Sequence, residues 1–307
     1  MNREPSAAIL IATCGRPERL EGALSSIFAA DLPPELLEIL VIENGSCVSE
    51  SVASRFREKV PIRFIHLDMA NKSNALNRGL RETECDLVIF FDDDVVIDPA
   101  TVSTYVEAAR KHGRRHFFGG STYPIWVGDP DVTWSEFFPL SMREASFDSS
   151  STKRSSHTFL GYNWAAWREE IIEAGGFDSD FGPGSRFGAS GQETGAQIRL
   201  IRRGCRQVPL DQCRVGHIVE SERSSLEWLL ERRRRTGIEV GLRNRHRPLR
   251  LARRLAARLR SLLIDAARAV ARPGSRVARQ RVRFDAMEIA GIFRGWRRTP
   301  RSDVKSA

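Results

Sequence analysis

The fold of this chain is decided by residues 87–94, which read Leu-Val-Ile-Phe-Phe-Asp-Asp-Asp. Five consecutive apolar residues are typical of a strand buried on both faces, as at the centre of a parallel sheet. Three carboxylates follow at the carboxyl end of that strand, where open α/β sheets bind ligands. Adjacent carboxylates repel one another, and a divalent cation relieves that repulsion. The stretch therefore predicts a metal site on an α/β sheet; a solvated acidic turn is the alternative.

Strand and helix patterns alternate around this stretch. Apolar runs predict strands at 7–13, 37–43, 62–67 and 116–118, and short strands at 206–209 and 214–219. Helical spacing predicts helices over 17–30, 48–60, 73–83, 100–112, 168–174 and 194–203. Residues 121–158 and 178–191 are expected to form loops over a site. Alternation of this kind predicts an α/β fold with a doubly wound sheet.

Composition excludes several classes of protein. Hydrophobic residues make up 41% and charged residues 28% of the 307 residues, which is ordinary for a globular protein and excludes a disordered or collagen-like chain. The sequence has no apolar run of about 18 residues, so we expect no membrane-spanning helix, and the N-terminus does not resemble a secretory signal. Five cysteines without a C-x-x-C pair are expected to be reduced thiols, mostly buried.

The charge is distributed unevenly. Residues 1–231 hold 25 Lys and Arg against 34 Asp and Glu, whereas residues 232–307 hold 23 against 5. The helical pattern over 249–272 is amphipathic, with leucines on one predicted face and arginines on the other. Such a tail could lie on an anionic membrane or pack on the acidic remainder of the chain. Nucleic-acid binding is not expected, because the tail has few aromatic residues and no known binding motif.

Other polar residues converge on the same predicted edge. Thr13 and Arg16 follow the first strand, and Glu43 and Asn44 end the second. A lysine, Lys72, opens the helix at 73–83, where helix-start amides and a cation suit an anionic diphosphate.

A second candidate lies near the predicted helix at 194–203. Glu193 follows a glycine-rich stretch just before that helix, which suits a general base; capping of the helix is the alternative role.

These segments, taken in order, closely resemble an inverting family 2 glycosyltransferase with the GT-A fold. The resemblance runs from about residue 7 to residue 219. It rests on segments 13–20 (T-x-x-R-P-x-x-L), 38–46 (E-I-x-V-I-E-N-G-S), 75–79 (A-L-N-x-G), 92–94 (D-D-D), 161–163 (G-Y-N), 175–178 (G-G-F-D) and 191–193 (G-Q-E).

The resemblance implies a role for each matching residue. The residues implied to bind the nucleotide-sugar are Thr13, Arg16, Glu43, Asn44, Lys72, Asn77, Asp92 and Asp93. Asp94 and Asp92, with His217, would hold Mn²⁺ or Mg²⁺, although His217 could instead be an ordinary strand histidine. Glu193 would be the catalytic base. The residues implied to shape the acceptor site are Asn163, Trp164 and Gln192, although a tryptophan is more often a core residue.

The expected organisation is a GT-A domain over 1–225, with a mixed sheet, and a basic helical extension over 226–307. The domain divides into a nucleotide-binding half at about 1–120 and an acceptor half at about 121–225. The implied donor is a UDP-, GDP- or dTDP-sugar, and the implied acceptor is a saccharide or a lipid-linked saccharide. We expect a cytoplasmic enzyme, peripheral to the inner face of the plasma membrane through 249–272.

Two other functions fit part of this pattern. A catalytically inactive GT-A-like protein could bind a membrane or nucleic acid through the tail, but it would not need Asp92, Asp94 and Glu193 together. A nucleotidyltransferase would use the same edge, yet it typically carries a glycine-rich basic loop after the first strand, and this loop has one glycine and Arg16.

Overall fold

The structure is a computed structural model that describes residues 4–56, 59–146 and 158–297. The chain forms two compact units. Unit 1 comprises residues 1–129, 138–185 and 192–221, and unit 2 comprises residues 130–137, 186–191 and 222–307.

Within the described residues, unit 1 is built on one eight-stranded sheet in the order β3-β2-β1-β4-β7-β6-β8-β5. Strands β1 to β4 pair in parallel, β7 is antiparallel to β4 and β6, and β8 is parallel to β6 and antiparallel to β5. The elements of unit 1 are β1 (Ala7–Thr13), α1 (Pro17–Ala29), β2 (Leu36–Asn44), α2 (Glu50–Ser54), β3 (Ile62–Leu67), α3 (Lys72–Glu82), β4 (Leu87–Asp92), β5 (Val95–Ile97), α4 (Thr101–His112), β6 (His116–Val127), β7 (Trp164–Trp167), α5 (Arg168–Glu173), α6 (Gln192–Arg202) and β8 (Arg206–Glu220).

Alternate residues of the central strands face two hydrophobic layers. Ile9 and Ile11 of β1 belong to the layer formed with α1 and α4. Ala8 and Leu10 belong to the opposite layer, formed with α3, α5 and α6. Helices therefore cover both faces, and the central strands are apolar throughout because neither face meets water. This confirms the predicted α/β class with a mixed sheet.

Helix α3 approaches the sheet closely at one glycine. A Cβ on Gly79 would lie 2.6 Å from the Leu10 side chain and 3.0 Å from that of Ile42. Only glycine allows this approach, which gives the A-L-N-x-G motif a packing reason. The helix carries Lys72 at its first position, so the close packing also fixes the lysine relative to β1 and β4.

The second half of unit 1 differs from the sequence prediction. The expected short strand at 116–118 extends to Val127, and the two expected strands after residue 205 form the single strand β8. Strands β5 and β7 were not predicted, and the helix expected over 48–60 is limited to Glu50–Ser54. The loop expected at 121–158 therefore begins as a strand, and its residues 147–157 lie outside the described part of the chain.

Unit 2 contains three long helices: α7 (Leu226–Asn244), α8 (Pro248–Ala271) and α9 (Arg276–Trp296). Glycines in α7 and α9 allow these two helices to touch at the backbone. A Cβ on Gly237 would lie 2.9 Å from Cα of Gly291, and one on Gly241 would lie 3.0 Å from Cα of Gly295. The two glycines of each helix are four residues apart and so lie on one face of that helix, where they allow the close crossing of α7 and α9.

Helix α8 packs on α9, and most of the apolar face that its sequence periodicity predicts is buried or half-buried. Leu251 is buried, and Arg258 lies 2.8 Å from Glu288 and 3.8 Å from Asp285 of α9. The predicted leucine face is therefore largely the covered face, since Leu255 and Leu262 are also half-buried. Two residues depart from the prediction, because Arg258 points inward and Leu259 is exposed. Among the residues described, none of the helices combines the length and the apolar character needed to cross a membrane.

Candidate active site

The predicted edge of the sheet is formed by the ends of β1, β2 and β4. In the strand register Thr13 lies opposite Glu43, and Ala12 lies opposite Asp92. Parallel pairing places the carboxyl ends of these strands side by side, which is why residues distant in sequence meet here.

Asp93 is an internal brace of this edge. Its carboxylate is fully buried and accepts hydrogen bonds from Thr13 Oγ1 at 2.7 Å and from Arg16 Nε at 3.1 Å, with a further ion pair to Arg16 Nη2. Burial raises the pKa of Asp93 to about 6; the charge of Arg16 opposes this shift and that of Asp94 adds to it. Burial alone would lower the pKa of Arg16, but the neighbouring carboxylates outweigh burial and raise it. Arg16 is therefore held as a cation over the acidic cluster.

Asp94 faces His217 across the short β5–β8 ladder. The His217 Nε2 atom lies 3.7 Å from Asp94 Oδ1, and the backbone N–H of Ile218 donates to the Asp94 carbonyl at 2.8 Å. On the other side of the ring, Nδ1 lies 2.9 Å from the Ser141 carbonyl oxygen. A carbonyl only accepts, so Nδ1 carries the hydrogen and Nε2 is the nitrogen suited to a metal. Tyr162 stacks on the ring, with centroids 4.6 Å apart.

Lys72 joins the acidic cluster to Glu193. Its Nζ lies 2.6 Å from Asp92 Oδ1 and 2.8 Å from Glu193 Oε1, and its side chain is 13% exposed. Burial alone would lower the pKa of Lys72, but the two carboxylates outweigh burial and raise it. Burial raises the pKa of Asp92, with Lys72 opposing and the charges of Asp94 and Glu193 adding. The lysine thus stays charged and neutralises part of a crowded acidic site.

Glu193 lies in the first turn of α6, and its carboxylate points toward Lys72 and the acidic cluster. Gln192 Nε2 donates to Glu193 Oε1 at 2.7 Å, the same oxygen that Lys72 contacts. A Cβ on Gly161 would lie 2.7 Å from Oε1, so only glycine fits beside the carboxylate. Both polar contacts hold Oε1, and Oε2 is the oxygen suited to accept a proton.

Three of the residues expected to bind the nucleotide-sugar use their side chains to hydrogen-bond nearby backbone groups. Glu43 is fully buried and accepts from the N–H groups of Val48 and Ser49, at 2.9 and 2.8 Å. Asn44 donates to the Thr13 carbonyl at 2.7 Å. Asn77 donates to the Phe177 carbonyl at 2.7 Å and accepts from the Phe177 N–H at 2.8 Å. These contacts shape the loops around the edge.

Two of the expected acceptor residues lie in the core. Trp164 is fully buried and stacks on Phe90, with ring centroids 4.5 Å apart. Asn163 is also fully buried; its amide donates to the Ser121 and Cys213 carbonyls, and its oxygen accepts from Tyr105. This placement does not fit direct contact with an acceptor, because Trp164 begins β7 between β4 and β6 and Asn163 immediately precedes it.

A complete metal cage is absent from the described part of the chain. Across residues 4–56, 59–146 and 158–297, no group of three or more His, Cys, Asp or Glu side chains is arranged to hold an ion. Asp94 and His217 form a pair, while Asp92 is engaged by Lys72. Two protein ligands suit an ion that takes its other ligands from substrate and water.

Comparison with known proteins decides the family. The model of "Glycosyl transferase family 2" matches residues 8–173, more than half of the chain. The chain belongs to glycosyl transferase family 2. As a member, it is a glycosyltransferase, and the catalytically inactive alternative is not favoured.

Characterised relatives and a solved structure resemble this glycosyltransferase over most of its length. The glucosyl-dolichyl phosphate glucuronosyltransferase of Haloferax volcanii is 24% identical over 224 residues, 71% of this chain and 70% of that protein. The succinoglycan biosynthesis protein ExoM of Rhizobium meliloti is 26% identical over 239 residues, 74% and 71% of the two chains. A mannosyltransferase from Pyrobaculum calidifontis, solved with GDP-Man and Mn²⁺, has 17% identity and a TM-score of 0.61, with 96% and 88% coverage. The fold of the glycosyltransferase is therefore GT-A-like.

Sequence reasoning missed three contacts at this site. The packing of Gly161 against Glu193 and the stacking of Tyr162 on His217 both fall in the G-Y-N segment, in which the sequence implied a role for Asn163 at the acceptor site. The Ser141 carbonyl that orients His217 had no sequence signal, because a backbone acceptor is available on every residue.

Proposed function

We propose that this glycosyltransferase moves a sugar from a nucleotide-diphosphate donor to an acceptor hydroxyl, with inversion and with a divalent cation. The observation that carries the proposal is Lys72, whose ammonium contacts both Asp92 and Glu193. It places the candidate base beside the acidic cluster, so one site can hold a donor and deprotonate an acceptor. The P. calidifontis mannosyltransferase, with GDP-Man and Mn²⁺ bound, supports this kind of donor and metal.

The ligands available in this chain fit the cation. Asp94 Oδ1 and His217 Nε2 are 3.7 Å apart, so both could hold one ion. Carboxylate oxygen and imidazole nitrogen both suit Mn²⁺, and carboxylate suits Mg²⁺. When bound, the cation would offset the charge of the departing diphosphate. The Ser141 carbonyl holds His217 in the tautomer this role needs.

Cationic side chains would position the donor. Arg16 and Lys72 flank the acidic cluster, and Lys72 can exchange its contact with Glu193 for a donor phosphate oxygen. Exchange of the Lys72 contact with Asp92 in the same way would leave Asp92 free to meet the ribose hydroxyls.

Glu193 would act as the base. Its Oε2 accepts the proton of the acceptor hydroxyl while that oxygen forms a bond to the anomeric carbon. The bond from the anomeric carbon to the diphosphate oxygen breaks on the opposite side, and the nucleoside diphosphate leaves with the electron pair. The product is inverted because attack and departure occur on opposite faces, and Glu193 ends the step protonated.

The acceptor class is supported by the similar proteins. One is named for succinoglycan biosynthesis and another for a dolichyl phosphate substrate, which favours a saccharide or lipid-linked acceptor in cell-surface polysaccharide or glycolipid synthesis. Five free thiols favour a cytoplasmic site of action.

The test combines donor binding with transfer. UDP, GDP and dTDP are screened by thermal shift with and without Mn²⁺ or Mg²⁺, because a ligand of the native state raises the melting temperature. One nucleotide is expected to bind only with metal, and Asp94→Asn is expected to abolish that shift.

The base is tested with the donor so identified. Glu193→Gln is expected to keep donor binding and to lose transfer by roughly 10²–10⁴-fold. Glu173→Gln, an exposed carboxylate paired with Arg203, is the matched control. Wild-type transfer by Glu193→Gln, or a product of retained configuration by NMR, would contradict the mechanism.

A further inference from the structure

Helix α8 of unit 2 leaves a row of large apolar side chains in water. Leu249, Leu259, Leu263 and Val270 are between 48% and 82% exposed. Together with the exposed alanines Ala252 and Ala256, they recur at steps of three, four and finally seven residues along the helix. This spacing keeps them on one face, and the row is about 30 Å long. We call these six residues the α8 stripe.

The α8 stripe is distinct from the face that packs on α9. Leu251, Arg258 and Asp265 repeat every seven residues and turn toward α9, where Arg258 meets Glu288. These positions are about 140° around the helix from the centre of the stripe. The stripe is therefore not the helix's contact with its own unit.

Arginines border the α8 stripe on its other side. Arg253 and Arg260 each lie four residues after one member of the stripe and three before another, so they are its immediate neighbours. The exposed arginines of α8 are Arg250, Arg253, Arg254, Arg260 and Arg268. Within residues 248–271 the one acidic side chain, Asp265, is buried and paired with Arg268. The outward surface of α8 thus carries apolar and positive groups without negative ones.

We propose that the α8 stripe and its arginines dock unit 2 on the surface of an anionic lipid bilayer, with the helix lying in the interface. An interfacial helix buries its apolar residues beside the acyl chains, and flanking arginines reach the headgroup phosphates with their aliphatic stems on the apolar layer. Charge complementarity selects this occupant: a second copy of α8 would bring another set of exposed arginines against the first.

Vesicle binding tests the proposal on the full chain, without donor or acceptor. The protein is floated with vesicles of phosphatidylcholine alone and of phosphatidylcholine with 30% phosphatidylglycerol. Binding is expected with the anionic vesicles and is expected to weaken as salt rises.

Two paired variants separate the apolar and the charged contributions. Leu259→Gln with Leu263→Gln is expected to weaken binding at least about tenfold, from lost apolar burial. Arg253→Gln with Arg260→Gln is expected to weaken vesicle binding roughly thirtyfold, because each arginine contributes about 1 kcal/mol and about 1.4 kcal/mol changes affinity tenfold. The same pair is expected to make binding less dependent on salt. The matched controls, Leu37→Gln and Arg81→Gln with Arg202→Gln, change exposed residues of unit 1 and are expected to leave binding unchanged.

Several outcomes would overturn the proposal. Equal binding to both vesicle types would remove the role of charge. A concentration-dependent dimer in analytical ultracentrifugation, lost in the leucine pair and accompanied by no vesicle binding, would assign the stripe to a second copy. Tight binding of a single-stranded oligonucleotide that the leucine pair does not affect, without vesicle binding, would assign the arginines to nucleic acid. None of these measurements depends on the proposed transfer reaction.

Discussion

Removing the charge of Lys72 is expected to destabilise unit 1 strongly. The ammonium lies 2.6 Å from Asp92 and 2.8 Å from Glu193, and all three side chains are mostly buried. In Lys72→Met the two carboxylates would lose the cation that both of them contact, and Arg16 would remain paired with the neighbouring Asp94. Breaking a buried ion pair from one side costs about 3–5 kcal/mol, because the remaining charge stays desolvated. We expect a loss of that size in the free energy of unfolding at pH 8.

The loss is expected to shrink as pH falls. Burial already raises the pKa of Asp92, and without Lys72 this folded-state pKa rises further above the unfolded value. A group with a raised folded-state pKa contributes its stability below the unfolded pKa and loses it as pH rises. The deficit of Lys72→Met relative to wild type should therefore be smaller at pH 5 than at pH 8.

Urea unfolding followed by tryptophan fluorescence measures this deficit. The matched control is Lys111→Met, an exposed lysine in the last turn of α4, which should change stability by less than about 0.5 kcal/mol. In a double-mutant cycle, Glu193→Gln should recover about 1–3 kcal/mol of the Lys72→Met loss, since one of the stranded charges is gone. A Lys72→Met protein as stable as the control at pH 8, or a deficit independent of pH, would refute this electrostatic account.

Three further predictions concern other buried groups. Burial raises the pKa of Asp93 to about 6, so its contribution to stability should fall by about 2 kcal/mol between pH 4 and 6.5. Urea titrations should show no such fall in Asp93→Asn, and parallel profiles of the two proteins would contradict this prediction. Gly237→Ala should cost about 1–3 kcal/mol in unit 2 by chemical denaturation, whereas Gly274→Ala, where a Cβ meets nothing within 4 Å, should cost little. Burial raises the pKa of Cys205 to about 11, so at pH 8 little of it is the reactive thiolate. Iodoacetamide at pH 8 should therefore label the exposed Cys14 before Cys205, as followed by peptide mass spectrometry. Equal labelling rates of the two cysteines would contradict the burial of Cys205.

The first half of unit 1 was predictable because each of its elements has a recognisable pattern in its own local sequence. Strands β1 and β4 consist almost entirely of an apolar run, β2 contains a shorter one, and helical patterns separate them in the sequence. The second half was less predictable, since β5 has three residues and β7 has four. Strands that short are stabilised by pairing with neighbouring strands, and the local sequence pattern does not show which strands will be neighbours.

The same distinction applies to the residues of the site. Acidic residues at the end of an apolar strand identify the ligand edge from sequence alone, because parallel strands end together. The sequence could not separate residues that face the ligand from those that brace the edge. Asp93 and Asp94 are adjacent and share Arg16, yet Asp93 is also held by Thr13 whereas Asp94 faces His217.

The sequence by itself determined the α/β class, the acidic edge and the basic character of the C-terminal helices. Each of these depends on residue type and on spacing within one element. Only the tertiary structure decided that Lys72 joins Asp92 to Glu193, that Trp164 is a core residue, and that α8 keeps an apolar stripe exposed. Those facts depend on which elements pack against each other. The packing of the whole chain determines this, because the close-packed interior gives each side chain only a limited number of neighbours.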